Sequence, residues 1–329
     1  MLLIDNRGIT DPRLNLALEE YALLNVDISH DHLLFYINKP SIIIGRYQNT
    51  IEEINADYVR DNGIHVVRRI SGGGAVYHDL GNLNFSFITR YKRANFSNYA
   101  KFTAPVVEVL ESLGIDAGAE GRNDISVGGR KISGNAQYVS AGRMFSHGTL
   151  LFDSKLDDVV KALDVKAEKI VSKGIKSVRS RVANISEFLR EPMSVVDFRR
   201  LLLDSIFGAG KPIPEARFSP DQWREIEALA ESKYSAWDWN YGASPPFNIQ
   251  KTRRFPAGRI DMRLQVESGI IQSVKIYGDF FARADVSALE AVLIGVRFDV
   301  DTVAATLRDA DVPRFFEGLS TDDLIELLA

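Results

Sequence analysis

The segment "NDISVGGRKISGNAQYVSAGRMFSHGTLLFD", residues 123–153, reads as successive β-strands joined by tight turns. Gly128 and Gly129 separate the first two strands, and a two-residue hairpin turn needs the positive φ angles that glycine adopts without steric cost. Strands joined by hairpins pair in the antiparallel sense. The segment therefore predicts a mixed, largely antiparallel sheet, which needs helices to cover it.

The chain on the N-terminal side supplies further helices and strands. "DPRLNLALEEYALL" predicts a helix with Asp11 as its N-cap and Pro12 at its first position. Strands are predicted at "LLFYIN", "SIIIGR", "IHVVRRI" and "NLNFSFITR". Their order does not follow the regular strand–helix alternation of a dinucleotide-binding fold. The predicted fold class is α+β.

A domain boundary is predicted in the aromatic "SAWDWNYGASPPFNI", because a Pro-Pro step ends regular structure. A hairpin and short helices are predicted beyond it. We therefore expect a catalytic domain at 1–246 and a small α+β domain at 247–329.

The stretch "RRISGGGAVYHDLG", residues 68–81, is the first candidate for a binding site. Three glycines lack Cβ atoms, so consecutive main-chain N–H groups can approach an anion closely. Arg68 and Arg69 could add contacts to a phosphate or carboxylate. The alternative is a glycine-rich turn with surface arginines. Neither the Gly-Lys-Ser/Thr ending of a Walker A loop nor a Gly-x-Gly-x-x-Gly fingerprint is present.

Three other polar clusters are weaker. Lys131 follows the hairpin turn, where its ammonium could reach a phosphate, although an exposed hairpin would look the same. The basic run "KGIKSVRSRV" indicates a loop with solvated charges. His30 and His32 have no third ligand at metal spacing, so we expect them in a solvated loop.

Composition excludes several classes of function. The net charge of −4 over 329 residues does not fit a protein that binds nucleic acid through bulk positive charge. No window approaches a membrane span, and the N-terminus does not resemble a signal peptide, so we expect a cytoplasmic protein. The absence of cysteine excludes any mechanism through a cysteine thioester.

Taken together, these segments resemble the lipoate–protein ligase A family of the biotin/lipoate ligase superfamily. The resemblance rests on "RRISGGGAVYHDLGN", "GRNDISVGGRKISG", "SHGTLLF", "KGIKSVRSRVANISEFL", "DPRLNLALEE", "SIIIGRYQN", "WDWNYG" and "RRFPAGRIDMRLQVESG". It covers nearly the whole chain. It implies a biotin/lipoate ligase-like catalytic domain with mixed, largely antiparallel sheets flanked by helices, followed by a C-terminal accessory domain.

The reaction implied by the resemblance has two steps. The lipoate carboxylate attacks the α-phosphate of ATP, and a carrier lysine then attacks the lipoyl-adenylate. A carboxylate is ionised at neutral pH, so the first step needs positioning and charge neutralisation rather than a general base. ATP and Mg²⁺ are the expected co-substrate and activator, lipoate is the substrate, and no tightly bound cofactor is expected.

The resemblance also assigns site residues by position. Lys131 and Arg69 are the implied catalytic residues, and Asp124 the implied Mg²⁺ contact. The implied ATP and adenylate contacts are Arg69, Ser71, Gly72, Gly73, Gly74, Ala75, Val76, Tyr77, His78, Asn123, Asp124, Lys131 and Arg179. The implied lipoate contacts are Leu16, Leu18, Glu19, Arg69, Gly74, His78, Lys131 and His147. The tract Glu168–Val182 resembles a loop that covers the adenylate and excludes water.

The implied partners are lipoyl carrier domains of 2-oxoacid dehydrogenase complexes or the glycine-cleavage H protein. We expect a monomer with no nucleic-acid or membrane partner. Octanoyl- and lipoyl-transferases that use a cysteine are excluded. Two alternatives remain: a biotin-type ligase, whose phosphate loop usually has a Gly-Arg-Gly pattern, and a non-catalytic lipoate- or carrier-binding protein of the same fold.

Overall fold

The computed structural model describes residues 1–121, 123–163, 181–241 and 248–328. These residues form two compact units. The first contains residues 1–43, 51–67 and 76–240, and the second contains residues 44–50, 68–75 and 241–329. The boundary predicted at 246/247 falls next to residues 242–247, which lie outside the described part, and it stays a prediction.

Most strands of the first unit form one eight-stranded sheet. Its strands in chain order are β1 (Leu2–Ile4), β2 (His32–Ile37), β6 (Asn82–Arg90), β7 (Ala117–Glu120), β8 (Asp124–Val127), β9 (Arg130–Ser140), β10 (Arg143–Leu151) and β11 (Glu215–Ala216). The spatial order is β11-β1-β2-β6-β10-β9-β8-β7. Strand β1 is parallel to both neighbours and every other pair is antiparallel. The predicted mixed, largely antiparallel sheet is confirmed.

Strands of a smaller three-stranded sheet flank the glycine stretch in the chain. Its strands are β3 (Ser41–Ile44), β4 (His65–Arg68) and β5 (Val76–His78), in the order β4-β3-β5. Two connections of this sheet, residues 44–50 and 68–75, belong to the second unit. The triple glycine therefore lies between two strands, as its sequence context predicts.

Helices cover the large sheet on both faces. The helices of the first unit are α1 (Pro12–Asn25), α2 (Ala56–Asp61), α3 (Tyr99–Ser112), α4 (Leu156–Ala162), α5 (Val195–Phe207), α6 (Pro220–Leu229) and α7 (Trp237–Asn240). Apolar residues of α3 and α5 form one core with Leu33, Phe35 and Phe85 of the sheet. None of the helices in the described ranges is long and apolar enough to cross a bilayer.

The second unit has its own core. Strands β12 (Ile249–Phe255), β13 (Gly258–Glu267) and β14 (Ile270–Gly278) form an antiparallel sheet. Helices α8 (Ser287–Leu293), α9 (Val300–Asp309) and α10 (Thr321–Leu328) follow. Their apolar side chains pack with Ile260, Met262 and Leu264 of β13. The predicted α+β architecture of the C-terminal segment is confirmed.

The interpretation of His30 and His32 as one solvated loop is wrong for His32. His30 is exposed, but His32 begins β2 and is 1% exposed. Its backbone pairs with Ile88 of β6, and this register of the sheet buries the His32 side chain.

The first helix begins at the predicted cap, and this gives a testable charge effect. Asp11 accepts hydrogen bonds from the Arg13 main chain and guanidinium and from Lys39. Burial opposes the charged form of Asp11, but these hydrogen bonds outweigh it and hold the pKa of its carboxyl well below the ordinary range. The carboxylate therefore stabilises the fold above about pH 4, and this contribution is lost as the pH falls below that value.

We expect Asp11→Ala to lower the free energy of unfolding by about 1 kcal/mol at pH 7, since an unreplaced N-cap costs this much. Asp11→Asn keeps the cap but not the charge, so its unfolding free energy should vary less with pH between about 5 and 3 than that of the wild type. Urea unfolding at several pH values measures both effects. Equal acid sensitivity of the wild type and Asp11→Asn would contradict the assignment.

Candidate functional site

The two faces of the large sheet differ in character. Paired residues of neighbouring antiparallel strands share a face, so the register defines each face. The face opposite the α3/α5 core carries mostly polar or small residues, apart from Leu34 and Tyr36 of β2. They form two adjacent rows: Leu34, Ser86, His147 and Ala136 in one, and Tyr36, Asn84, Thr149, Gly134 and Asp124 in the next. Such a face can supply the few polar groups that orient a bound ligand.

Lys131 reaches this polar face from its edge. Its Nζ lies 2.8 Å from Oδ1 of Asp124, and both side chains are about one-third exposed. A Cβ on Gly134 would lie 2.9 Å from the Lys131 Nζ, so glycine leaves the space that the lysine occupies. Main-chain hydrogen bonds fix the Lys131 backbone: its N–H donates to the Arg181 carbonyl, and its carbonyl accepts from the Ala183 N–H. The structure thus brings two predicted residues together as an accessible ion pair.

Glu19 and His147 form a second pair on the same face. Both Glu19 carboxylate oxygens lie 3.0 Å from Nδ1 of His147. The exposed fractions are 1% for Glu19 and 8% for His147. Glu19 comes from α1, whose Leu16 and Leu18 are also buried. Helix α1 therefore covers the polar face and orients His147 there.

His78 is held by asparagine. It ends β5 and is 3% exposed, and its Nδ1 lies 3.0 Å from the Asn38 side-chain amide. Val76 and Tyr77 precede it in the same strand, and burial raises the pKa of Tyr77. Asn123, another predicted contact, exchanges hydrogen bonds with Asn135 next to the Lys131 hairpin.

Arg68 in the second unit binds its own loop. Its guanidinium donates to the carbonyls of Gly45, Arg46 and Gln48 and to the Thr50 hydroxyl. Burial, reinforced by the charge of Arg46, lowers the pKa of Arg68 to about 10. Arg68 thus stabilises the conformation of residues 44–50 and has a structural role.

Arg69 shapes the glycine loop from within. Its guanidinium donates to Ser71 Oγ at 3.1 Å and to the carbonyls of Gly72 and Gly74 at 2.7 and 2.9 Å. The glycine loop therefore folds around the Arg69 guanidinium, the group that the sequence analysis predicts to bind an anion. Ala75 completes this segment of the second unit.

Two of the three glycines also have a packing role. Gly73 has a φ of +98° and its N–H donates to the Phe280 carbonyl at 3.2 Å. A Cβ on Gly72 would lie 2.4 Å from that carbonyl, whereas a Cβ on Gly74 meets nothing within 4 Å. Close main-chain approach thus explains glycine at position 72, the positive φ explains it at position 73, and Gly74 leaves open space.

The predicted covering loop and the predicted metal contact differ in how far the structure describes them. Arg179 and most of the predicted covering loop lie in residues 164–180, outside the described part. Within the ranges that are described, no three His, Cys, Asp or Glu residues are grouped to hold a metal. Asp124 offers one carboxylate, which fits a Mg²⁺ ion that arrives with nucleotide phosphates better than an all-protein metal site.

Sequence reasoning missed Asn84, Ser86 and the asparagines near His78. A signal was present in "NLNFSF", where polar and apolar residues alternate with a period of two. That alternation places Asn84 and Ser86 opposite the apolar core.

Comparisons with known proteins agree with this geometry. Residues 11–207 match the model of the lipoyl protein ligase A/B catalytic domain, and residues 244–328 match that of the bacterial lipoate protein ligase C-terminus. A lipoate–protein ligase of Bacillus subtilis is 53% identical, with all of both chains covered.

Two solved structures share the fold. The lipoate protein ligase in a structure of a bipartite ligase and its E2 lipoyl domain, from Thermoplasma acidophilum, is 32% identical, with a TM-score of 0.65 over 75% of this chain and 98% of that chain. A lipoate-protein ligase A bound with ATP is 29% identical, with a TM-score of 0.62 over 73% of this chain and 98% of that one.

Proposed function

This chain belongs to the lipoyl protein ligase A/B family, and from that premise we propose that it activates lipoate with ATP and transfers the lipoyl group to a lysine of a protein carrier. The observation that supports the chemistry most directly is the accessible Lys131 ammonium, held on Asp124 at the edge of the polar face. A cation at this position can neutralise charge on a reacting phosphate.

In the first step a lipoate carboxylate oxygen attacks the α-phosphorus of ATP. The new O–P bond forms as the bond to the β-phosphate breaks, and pyrophosphate leaves. The carboxylate is already ionised, so Lys131 contributes charge stabilisation rather than proton transfer. Arg69 and the main chain of residues 71–75 are proposed to bind the carboxylate and phosphate, except for the Gly73 N–H, which donates to the Phe280 carbonyl.

In the second step the neutral ε-amine of a carrier lysine attacks the lipoyl carbonyl. An amide bond forms, the bond from the carbonyl carbon to the phosphate oxygen breaks, and AMP leaves with that electron pair. The amine loses a proton to solvent. The same Lys131 cation stabilises the oxyanion of the tetrahedral intermediate.

The lipoyl tail is proposed to lie along the polar face beneath α1. Ala136 is a small residue of this face, and Leu16 and Leu18 of α1 would provide apolar contact. The Glu19–His147 pair borders this space and holds the imidazole in one orientation.

Asp124 would hold Mg²⁺ together with nucleotide phosphates. When bound, the ion would neutralise negative charge on those phosphates. The proposed carriers are lipoyl domains of 2-oxoacid dehydrogenase complexes or the glycine-cleavage H protein. A monomer in the cytoplasm is the proposed state.

The test is mass spectrometry of candidate carrier domains after incubation with this protein, ATP, Mg²⁺ and lipoate. We expect one carrier lysine to gain the mass of a lipoyl group, with stoichiometric release of AMP and pyrophosphate. A reaction without ATP and one with biotin in place of lipoate serve as controls. Pyrophosphate release with biotin alone would favour a biotin-type ligase, and no release with either acid would favour a non-catalytic binding protein.

A further inference from the structure

A chain of hydrogen-bonded side chains in the first unit ends at His78. Asn6 Nδ2 donates to Asn15 Oδ1 at 3.2 Å, and Asn15 Nδ2 donates to Asn38 Oδ1 at 2.8 Å. The Asn38 amide then meets His78 Nδ1 at 3.0 Å. All four residues are buried, and Asn15 and Asn38 are fully so. Below, this chain is called the asparagine relay.

Main-chain carbonyls fix the direction of the relay. Asn15 Nδ2 lies 3.0 Å from the carbonyl oxygen of Ile9 and 3.3 Å from that of Ile37. A carbonyl oxygen can only accept, so the amide nitrogen of Asn15 must face this side. The Asn38 side chain therefore presents its oxygen to Asn15, since the reverse orientation would set two amide donors against each other. Its amide N–H is left to donate to His78.

The direction of the relay sets the tautomer of His78. Because Asn38 donates to Nδ1, that nitrogen must carry a lone pair, and the ring proton of the neutral imidazole lies on Nε2. Protonating Nδ1 as well would oppose two donors across 3.0 Å. The relay therefore favours the neutral His78 tautomer that carries its proton on Nε2.

Helix α1 links the relay to the polar face. Asn15 and Glu19 are four residues apart, so they lie on the same face of the helix. Asn15 leads through Asn38 to His78, and Glu19 binds His147 directly. One buried face of α1 thus orients two histidines, with Nδ1 as acceptor in His78 and Nδ1 facing a carboxylate in His147.

We infer that Asn15 and Asn38 are positioning residues that hold His78 as a neutral Nε2–H donor to an anionic substrate oxygen, either of the acyl carboxylate or of the phosphate. This inference rests on the proposed function. A neutral N–H donor would orient this oxygen without adding a further positive charge to those of Arg69 and Lys131.

The test begins with ¹⁵N-histidine labelling of the full chain and long-range ¹H–¹⁵N correlation spectra. The chain has only five histidines, and His78→Gln assigns the signal. We expect the wild-type His78 pattern to be that of the Nε2–H tautomer. A wild-type pattern with the proton on Nδ1 overturns the inference, and this measurement needs no variant of the relay.

Asn38→Asp reverses the relay at nearly constant shape. A carboxylate accepts from Asn15 and from the ring, so Nδ1 of His78 should become protonated and its ¹⁵N signal should shift accordingly. We expect pyrophosphate release to fall by roughly 10- to 100-fold, the effect of disturbing one hydrogen bond to a charged group. An unchanged tautomer in a folded Asn38→Asp protein overturns the relay.

The matched control is Asn184→Asp. Asn184 is also buried, and its side-chain amide hydrogen-bonds with the main chain of Ser154. The same chemical change there should lower stability but leave the His78 signals in place. A shift of the His78 tautomer in this control would overturn the specific link to Asn38.

Ligand titrations identify the acceptor. A shift of the His78 Nε2–H signal with lipoate alone assigns the carboxylate, and a shift with α,β-methylene-ATP alone assigns the phosphate. No shift with either, or with both together, overturns the substrate contact while carrier lipoylation can still be intact. Conversely, the expected tautomer in a protein that never lipoylates a carrier would refute the proposed function and leave the relay standing.

Discussion

Replacing Lys131 with alanine should lower the rate of pyrophosphate release by about 10²- to 10³-fold, which is the typical effect of removing one preorganised group that stabilises transition-state charge. The structure supports this magnitude because the Lys131 ammonium is fixed by Asp124 at 2.8 Å and by the space above Gly134. Transfer from supplied lipoyl-adenylate should also slow, since the same cation serves both steps. Separate assays of the two half-reactions measure both effects.

Lys101→Ala is the matched control for this variant. Lys101 lies on α3, which packs on the opposite, apolar face of the sheet, and its Nζ donates to Asn95. It should leave both rates within about threefold of the wild type, because surface changes away from a site have small effects. If Lys131→Ala were equally mild, the central role of Lys131 would be refuted.

Gly72→Ala should disrupt the glycine loop. The new Cβ would lie 2.4 Å from the Phe280 carbonyl oxygen and 3.2 Å from the Phe281 Cα, and neither main-chain atom can move aside as a flexible side chain can. Overpacking of this kind costs about 1–3 kcal/mol, so the free energy of unfolding should fall by that amount. Because the displaced segment carries the predicted anion contacts, we also expect pyrophosphate release to fall by at least roughly tenfold.

Gly118→Ala separates this effect from the general consequences of adding a methyl group. Gly118 lies in β7, and a Cβ there would meet nothing within 4 Å. Urea unfolding should show this variant unchanged or slightly stabilised. A Gly72→Ala protein as stable and active as Gly118→Ala would show that close approach at Gly72 has no functional weight.

The sequence predicted the features that depend on short stretches of chain. The Gly128–Gly129 turn, the Asp11 cap with Pro12, and the strand after the triple glycine all appear as expected. Each follows from the local φ preference of glycine or proline, or from a side chain that bonds its own backbone. The motif residues around Lys131 were also identified from the sequence, because the order of the motifs along the chain resembles that of the ligase family.

Contacts between distant residues could not be read in the same way. Arg68 and Arg69 look equivalent in sequence, yet Arg68 supports residues 44–50 and Arg69 shapes the glycine loop. His32 looked solvated beside His30 but is carried into the fold by pairing with β6. Neighbours in the chain thus took different environments, which no local pattern encodes.

By itself the sequence determined the residue types available for the chemistry, the absence of a cysteine route and the periodicities that build each strand and helix. Only the tertiary structure decided which atoms satisfy each buried polar group: Asp124 for Lys131, Glu19 for His147, and Asn38, forty residues away, for His78. The physical reason is that φ/ψ preference and side-chain period act over a few residues, whereas a buried donor or acceptor must pair with whatever group the packed chain brings within about 3 Å.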